Sequence, residues 1–174
     1  MKHTKPVNLN IYLEMLIFLV ILILLIWNFA LFHSLQHVLP DFDPENISDC
    51  TVICSTTTVT PPLSAVHTEQ LYRFDPASPE FEQMISMLEG CKYRRHFSNL
   101  LPDDHSRSIT LDTRAEITLI QDGVCYVFGL YGKAMEIGTA QNSQDYSPRG
   151  GLAFQEELIS FIQTRGTLIS SESW

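Results

Sequence analysis

SITLDTRAEITLIQDGVCYVFGLY, residues Ser108 to Tyr131, is the stretch whose reading decides the fold class of this chain. Up to Ile120, apolar and polar side chains alternate. Ile109, Leu111, Thr113, Ala115, Ile117 and Leu119 share one face, and Thr110, Asp112, Arg114, Glu116 and Thr118 share the other. A period of two is that of a strand with one face on a core and one in water, the habit of antiparallel sheets. Asp122-Gly123 supplies two residues that tolerate positive φ, the mark of a type I′ turn, so Val124–Tyr131 is predicted to fold back as the second strand of a hairpin. Tyr131-Gly132 reads as a second turn and Lys133–Ile137 as a third strand.

On the N-terminal side, Ala65–Phe74 alternates well enough for a strand, with Val66, Leu71 and Phe74 available to a core. Asp75-Pro76-Ala77-Ser78-Pro79 then announces a helix. Ser78 can accept hydrogen bonds from orphan amides as N-cap, and Pro79 is preset for the first helical position. Phe81, Met84, Ile85 and Leu88 form one apolar stripe at i, i+3, i+4 and i+7, and Gly90 stops the helix. On the C-terminal side, Gln141–Gly151 is polar and reads as a loop. Phe154, Leu158, Phe161 and Ile162 give a last helix that ends near Gly166. The class is therefore α+β: a small antiparallel sheet with two helices packed on one face, in the order β-α-β-β-β-α over residues 63–166, with 167–174 a tail.

Further out lies IYLEMLIFLVILILLIWNFALF, Ile11 to Phe32, with no charge between Met15 and Trp27. As a helix it spans about 33 Å, enough for a hydrocarbon core of about 30 Å. Residues 11–32 read as a transmembrane signal anchor, residues 1–10 as its cytoplasmic start. Lys2 and Lys5 precede it, while Asp41, Asp43, Glu45 and Asp49 follow it. The positive-inside rule puts the N-terminus in the cytoplasm and the C-terminal domain outside the cell membrane. A cleaved signal peptide has a shorter apolar core, and Asn28–Ser34 offers only a poor small-x-small site, so the anchor is read as uncleaved. Trp27 suits the outer interface, and Glu14 and Asn28 sit near the two ends.

Residues 33–62 change character. His33–Leu39 can prolong the helix before Pro40, and the Asp-, Ser-, Thr- and Pro-rich run that follows reads as a juxtamembrane stalk. Its Thr51–Val59 portion is β-branched enough for a loosely attached strand.

The chain carries 11 Lys and Arg against 20 Asp and Glu, a formal charge of −9. Setting aside Lys2, Lys5 and Glu14 leaves nine basic against nineteen acidic residues beyond the anchor. An acidic domain is a poor polyanion binder, so nucleic acid is excluded as a partner. Cys50, Cys54, Cys91 and Cys125 all fall on the outer side, where disulfides form, and Cys50–Cys54 is the candidate bridge. Their spacing completes no zinc site, and no cofactor or metal is implied. His33 and His37 lie four apart without a third ligand and read as an interfacial polar pair. Asp103-Asp104-His105 reads as a surface loop, and Asn46-Ile47-Ser48 is a glycosylation sequon. The basic cluster Lys92, Tyr93, Arg94 and Arg95 is the candidate docking patch, set against the plainer reading of a solvated edge after a helix.

In order of elements (anchor, Pro-capped helix, Asp-Gly hairpin, terminal helix) the chain is similar to small single-pass proteins of Gram-positive bacteria with an α+β outer domain. That resemblance implies no site residue. The reading is a membrane-anchored protein that presents an extracytoplasmic interaction domain, holds the bilayer through residues 11–32 and docks a protein partner in the membrane or envelope, without catalysis. The alternatives are a small envelope hydrolase pairing Cys91 or Cys125 with His67, His96 or His105, and an accessory subunit that pairs through its transmembrane helix.

Overall fold

A computed structural model describes residues 9–60, 64–96, 113–132 and 134–174. It divides into two units, Met1–Leu31 and Phe32–Trp174. In the first, α1 spans Leu9–Phe29, and every side chain from Ile11 to Trp27 is exposed. Ile11–Phe29 is long and apolar enough to cross a membrane, as an anchor or a signal sequence is. The Asn28 side chain donates to the Leu24 carbonyl at 3.0 Å, so one of its amide protons is bonded within its own helix.

The second unit contains β1 (His33–Ser34), α2 (Leu35–Val38), a 3₁₀ turn (Pro44–Asn46), β2 (Ile47–Thr60) and β3 (Ser64–Phe74). Then follow α3 (Pro79–Gly90), β4 (Lys92–Arg95), β5 (Thr113–Gln121), β6 (Val124–Leu130), β7 (Met135–Thr139), β8 (Asn142–Pro148), α4 (Leu152–Arg165) and β9 (Thr167–Ser173). Among the described residues the strands form one nine-stranded sheet, in the order β1-β4-β8-β7-β6-β5-β2-β3-β9, and every pairing is antiparallel.

The hairpin of β5 and β6 forms as its sequence directs. Asp122 and Gly123 both take positive φ, 51° and 79°, and Gln121 pairs with Val124 across the turn. Ala115, Ile117 and Leu119 of β5 and Tyr126, Phe128 and Leu130 of β6 are all buried on one face. α3 also follows its signals. Ser78 Oγ accepts from the Phe81 amide at 3.1 Å, and Phe81, Met84, Ile85 and Leu88 are the residues it buries. α3 carries the chain from β3, near one side of the sheet, to β4 at the other, and α4 returns it from β8 to β9. Both crossovers lie on the same face and share one core with it.

The α+β class holds, yet the sheet is much larger than the small one read from the sequence. Of the stretch expected as a stalk, 33–62, the described residues 33–60 belong to the folded unit. Leu35, Leu39 and Phe42 are in the core, and β2 lies inside the sheet between β5 and β3. Cys50, Val52 and Cys54 form its buried face, an alternation masked in the sequence because two of the three positions are cysteines among serines and threonines. The expected loop 141–151 contains β8, whose polar residues bury only Tyr146 and Pro148. The expected tail 167–174 contains β9. The third strand is Met135–Thr139, a shift from 133–137. On α4, Gln155, Leu158, Ile159 and Ile162 are buried, while Phe154 and Phe161 are half-buried against the core, so the stripe is turned from the one expected. Residues 108–112 and the acidic loop read at Asp103-Asp104-His105 lie outside the described residues.

Candidate functional site

The docking patch read at Lys92, Tyr93, Arg94 and Arg95 does not form one surface. β4 is a strand, so neighbours in it point to opposite faces. Tyr93 is fully buried on the helix side and its hydroxyl donates to the Leu88 carbonyl at 2.6 Å. Arg94 faces away from the helices and lies over the Phe32 ring, 5.3 Å from its centroid. Arg95, by alternation, is on the same side as Tyr93, and only Lys92 of the four is exposed. The strand period divides the cluster between the two faces and takes its aromatic member into the core.

The thiols do not form the bridge read from the sequence. Cys50 and Cys54 are free, both buried on one face of β2. Four residues of extended strand separate Cα atoms by about 13 Å, roughly twice the span that a disulfide allows. Burial pushes both thiols up to about 12, with Asp49 adding to the effect at Cys50. Cys91 is also raised by burial, and its thiol donates to the Lys92 and Arg149 carbonyls at 3.5 and 3.6 Å. A thiol held neutral in this way is a poor nucleophile, and Cys91 is one of the two cysteines, with Cys125, that the hydrolase alternative names.

His33 and His37 stack on one another with ring centroids 4.3 Å apart. Among the described residues no group of three or more His, Cys, Asp or Glu side chains could hold a metal ion. Asn46 of the sequon donates to Asp43 Oδ2 at 2.7 Å, and Ser48 Oγ donates to the Ile120 carbonyl at 3.1 Å, so both polar ends of the triplet have partners in the fold.

On the sheet face opposite the helices, one cross-strand row runs Ile53, Glu116, Gly129, Glu136, Asp145. A Cβ on Gly129 would lie 2.4 Å from the Tyr131 ring, so that ring occupies the space a side chain would fill. The Tyr131 hydroxyl donates to Glu116 at 3.5 Å, and Ser143 Oγ hydrogen-bonds Glu136. These acidic groups are engaged within the sheet.

The two sheet edges differ. β1 offers two residues. β9 offers seven, all of them exposed. The amides and carbonyls of His67 and Trp174 exchange hydrogen bonds of 3.0 Å in both directions, so Trp174 turns its backbone toward β3. By alternation Ser173 and Ser171 turn theirs outward, where the described residues place no further strand. A register shift between Leu71 and Tyr72 bulges the start of β9 and leaves a regular edge from Ser170 onward. Glu172 stands directly opposite Glu69, and the row continues through Ser55 to Arg114. At the far end the His67 ring lies 4.9 Å from that of Trp174 and its Nδ1 is 3.1 Å from Thr57 Oγ1.

No family model, curated protein or solved structure matches the chain.

Sequence reasoning missed this edge because TLISSES lacks the alternation of a half-buried strand. Its β-branched and hydroxyl residues are compatible with a strand, but every one of them stays exposed, so no periodic burial writes itself into the sequence.

Proposed function

We propose that the chain is a single-pass membrane protein. α1 is its uncleaved anchor with the N-terminus in the cytoplasm, and the second unit is a protein-binding domain outside it. The observation that carries the binding reading is β9, a strand paired on one side and exposed along its whole length. Unpaired edge amides and carbonyls are a template for another chain, and natural sheets usually blunt them with Lys, Pro or a covering element. β9 has no Lys or Pro; of such devices it carries a bulge confined to its start and a single charge, Glu172. The orientation rests on Lys2 and Lys5 before α1 and on the acidic residues after it.

The test is photo-crosslinking in intact cells of the full chain, with the crosslinker at Ser171 and, in separate variants, at Glu82 of α3 and Thr118 of β5. A discrete protein adduct from at least one position, with external protease cutting the second unit before lysis, is the expected result. No adduct from any position overturns the binding reading, and cutting only after lysis reverses the orientation.

A further inference from the structure

We propose that the β9 edge receives an extended segment of a partner protein as a tenth strand, with a lysine or arginine of that segment opposite Glu172. This rests on the binding reading above and adds to it the mode of recognition and the chemistry of the partner.

Backbone geometry fixes where such a strand would lie. Ser171 and Ser173 turn their amides and carbonyls outward, and the bulge at the start of β9 confines regular pairing to Ser170–Trp174. The opposite edge, β1, is too short to offer the same ladder. Added strands of this kind draw affinity from main-chain hydrogen bonds and selectivity from the side chains beside them.

Charge on the edge fixes what the strand would carry. Glu69 and Glu172 are directly cross-strand, an arrangement that destabilises a sheet. Among the described residues neither makes an ion pair. Arg114 lies in the same row but is separated from Glu69 by the whole of β2, with Ser55 between. The outer side of Glu172 is the remaining neighbouring position in that row, and it belongs to the incoming strand. A cation there relieves the pair from the side that Arg114 does not reach. A second copy of this chain fits less well, because its own edge brings Glu172 and the unit carries nineteen acidic against nine basic residues. Within Ser170–Trp174, exposed Trp174 lies two positions from Glu172 on the same face, so the segment would be apolar or β-branched on that side of its basic residue.

The experiment uses the full chain in nanodiscs and two synthetic probes: a nine-residue peptide alternating Thr and Val with a central Lys, and its twin with a central Glu. The Lys peptide is expected to bind about tenfold more tightly than the Glu peptide at low salt. It should also protect the Ser171 and Ser173 amides from hydrogen exchange. Glu172→Gln should erase most of the preference, and Glu172→Lys should reverse it. Ser171→Pro should abolish both complexes; the amide it removes points outward, so the β3–β9 ladder is left whole. Equal affinities in the parent chain, or Lys-peptide binding that survives Ser171→Pro, overturns the proposal. So does a dimer of the chain that Ser171→Pro dissolves, since the occupant is then a second copy. Failure of both peptides together with crosslinked adducts from Glu82 or Thr118 overturns this proposal and leaves the binding reading standing. Failure of both peptides with no adduct from any position overturns the two together.

Discussion

At the scale of single residues, the core contains a polar side chain with a definite task. Gln155 is fully buried, its Oε1 accepts from the Gly132 amide at 3.1 Å, and its Nε2 donates to the Gly132 carbonyl at 2.5 Å. It therefore closes both backbone groups of a residue whose φ of 113° takes it out of the regular ladder. Gln155→Leu keeps the volume and strands two buried polar groups, for a loss of about 2–3 kcal/mol in chemical denaturation. Gln163→Leu, on the exposed side of the same helix, should stay within about 0.5 kcal/mol. The buried thiols give a second expectation. Their folded-state values are raised to about 12 from 9.0, so above pH 9 the unfolded chain gives up these protons first. Their contribution to stability is then constant below about pH 9 and is lost between about 9 and 12. Tyr72, Tyr93 and Tyr126 are shifted up by burial and push in the same direction. A Cys50→Ala/Cys54→Ala chain should lose stability less steeply over that range, as alkaline denaturation followed by circular dichroism would show.

At the scale of elements, the 3₁₀ turn and the segment before it explain why the supposed stalk is fixed. Phe42 is buried, with its ring centroid 5.2 Å from that of Tyr126 and 5.8 Å from that of Phe128, both edge-on. Gln121 binds the Asp43 amide at 2.7 Å and the Asp41 carbonyl at 3.0 Å, and the Tyr126 hydroxyl donates to that same carbonyl at 3.1 Å. Phe42→Ala should cost about 3–5 kcal/mol in thermal or urea unfolding, a loss no flexible tether would register. That residue also marks the limit of what the sequence disclosed. The β5–β6 hairpin and α3 were legible because turn chemistry, capping and periodic burial all agree within a dozen residues. Phe42 is one aromatic among acidic and proline neighbours, and its reason for burial lies some eighty residues away. β8 escaped notice, and β2 reads only as a loosely attached strand, for a related cause, since strands inside a wide sheet draw on neighbours on both sides and bury few large apolar groups of their own. The thiol bridge was read from spacing alone. A strand stretches that spacing beyond reach, and the same alternation split the basic cluster across the sheet.

At the scale of the whole molecule, the second unit is the cooperative entity, and its limits are not those that composition suggests. A fragment covering 63–166 lacks β2, which sits between β5 and β3, and β9, which closes the β3 side. It should remain unfolded by circular dichroism and hydrogen exchange, whereas Phe32–Trp174 should fold in a single transition. None of the four thiols is bridged, so a reductant should leave the midpoint of that transition unchanged. The topology that joins β3 to β9 has a further consequence in time. Thr68 and Ser173 share a hydrogen bond although 105 residues separate them. During synthesis β2 and β3 emerge as a hairpin whose outer border stays unmatched until β9, up to 105 positions further on, has been translated. For that interval the nascent chain exposes an edge that its own β9 is destined to occupy. A slow translation stop placed after residue 166 should therefore prolong the window in which passing chaperones, or another copy on the same messenger, can seize β3 first.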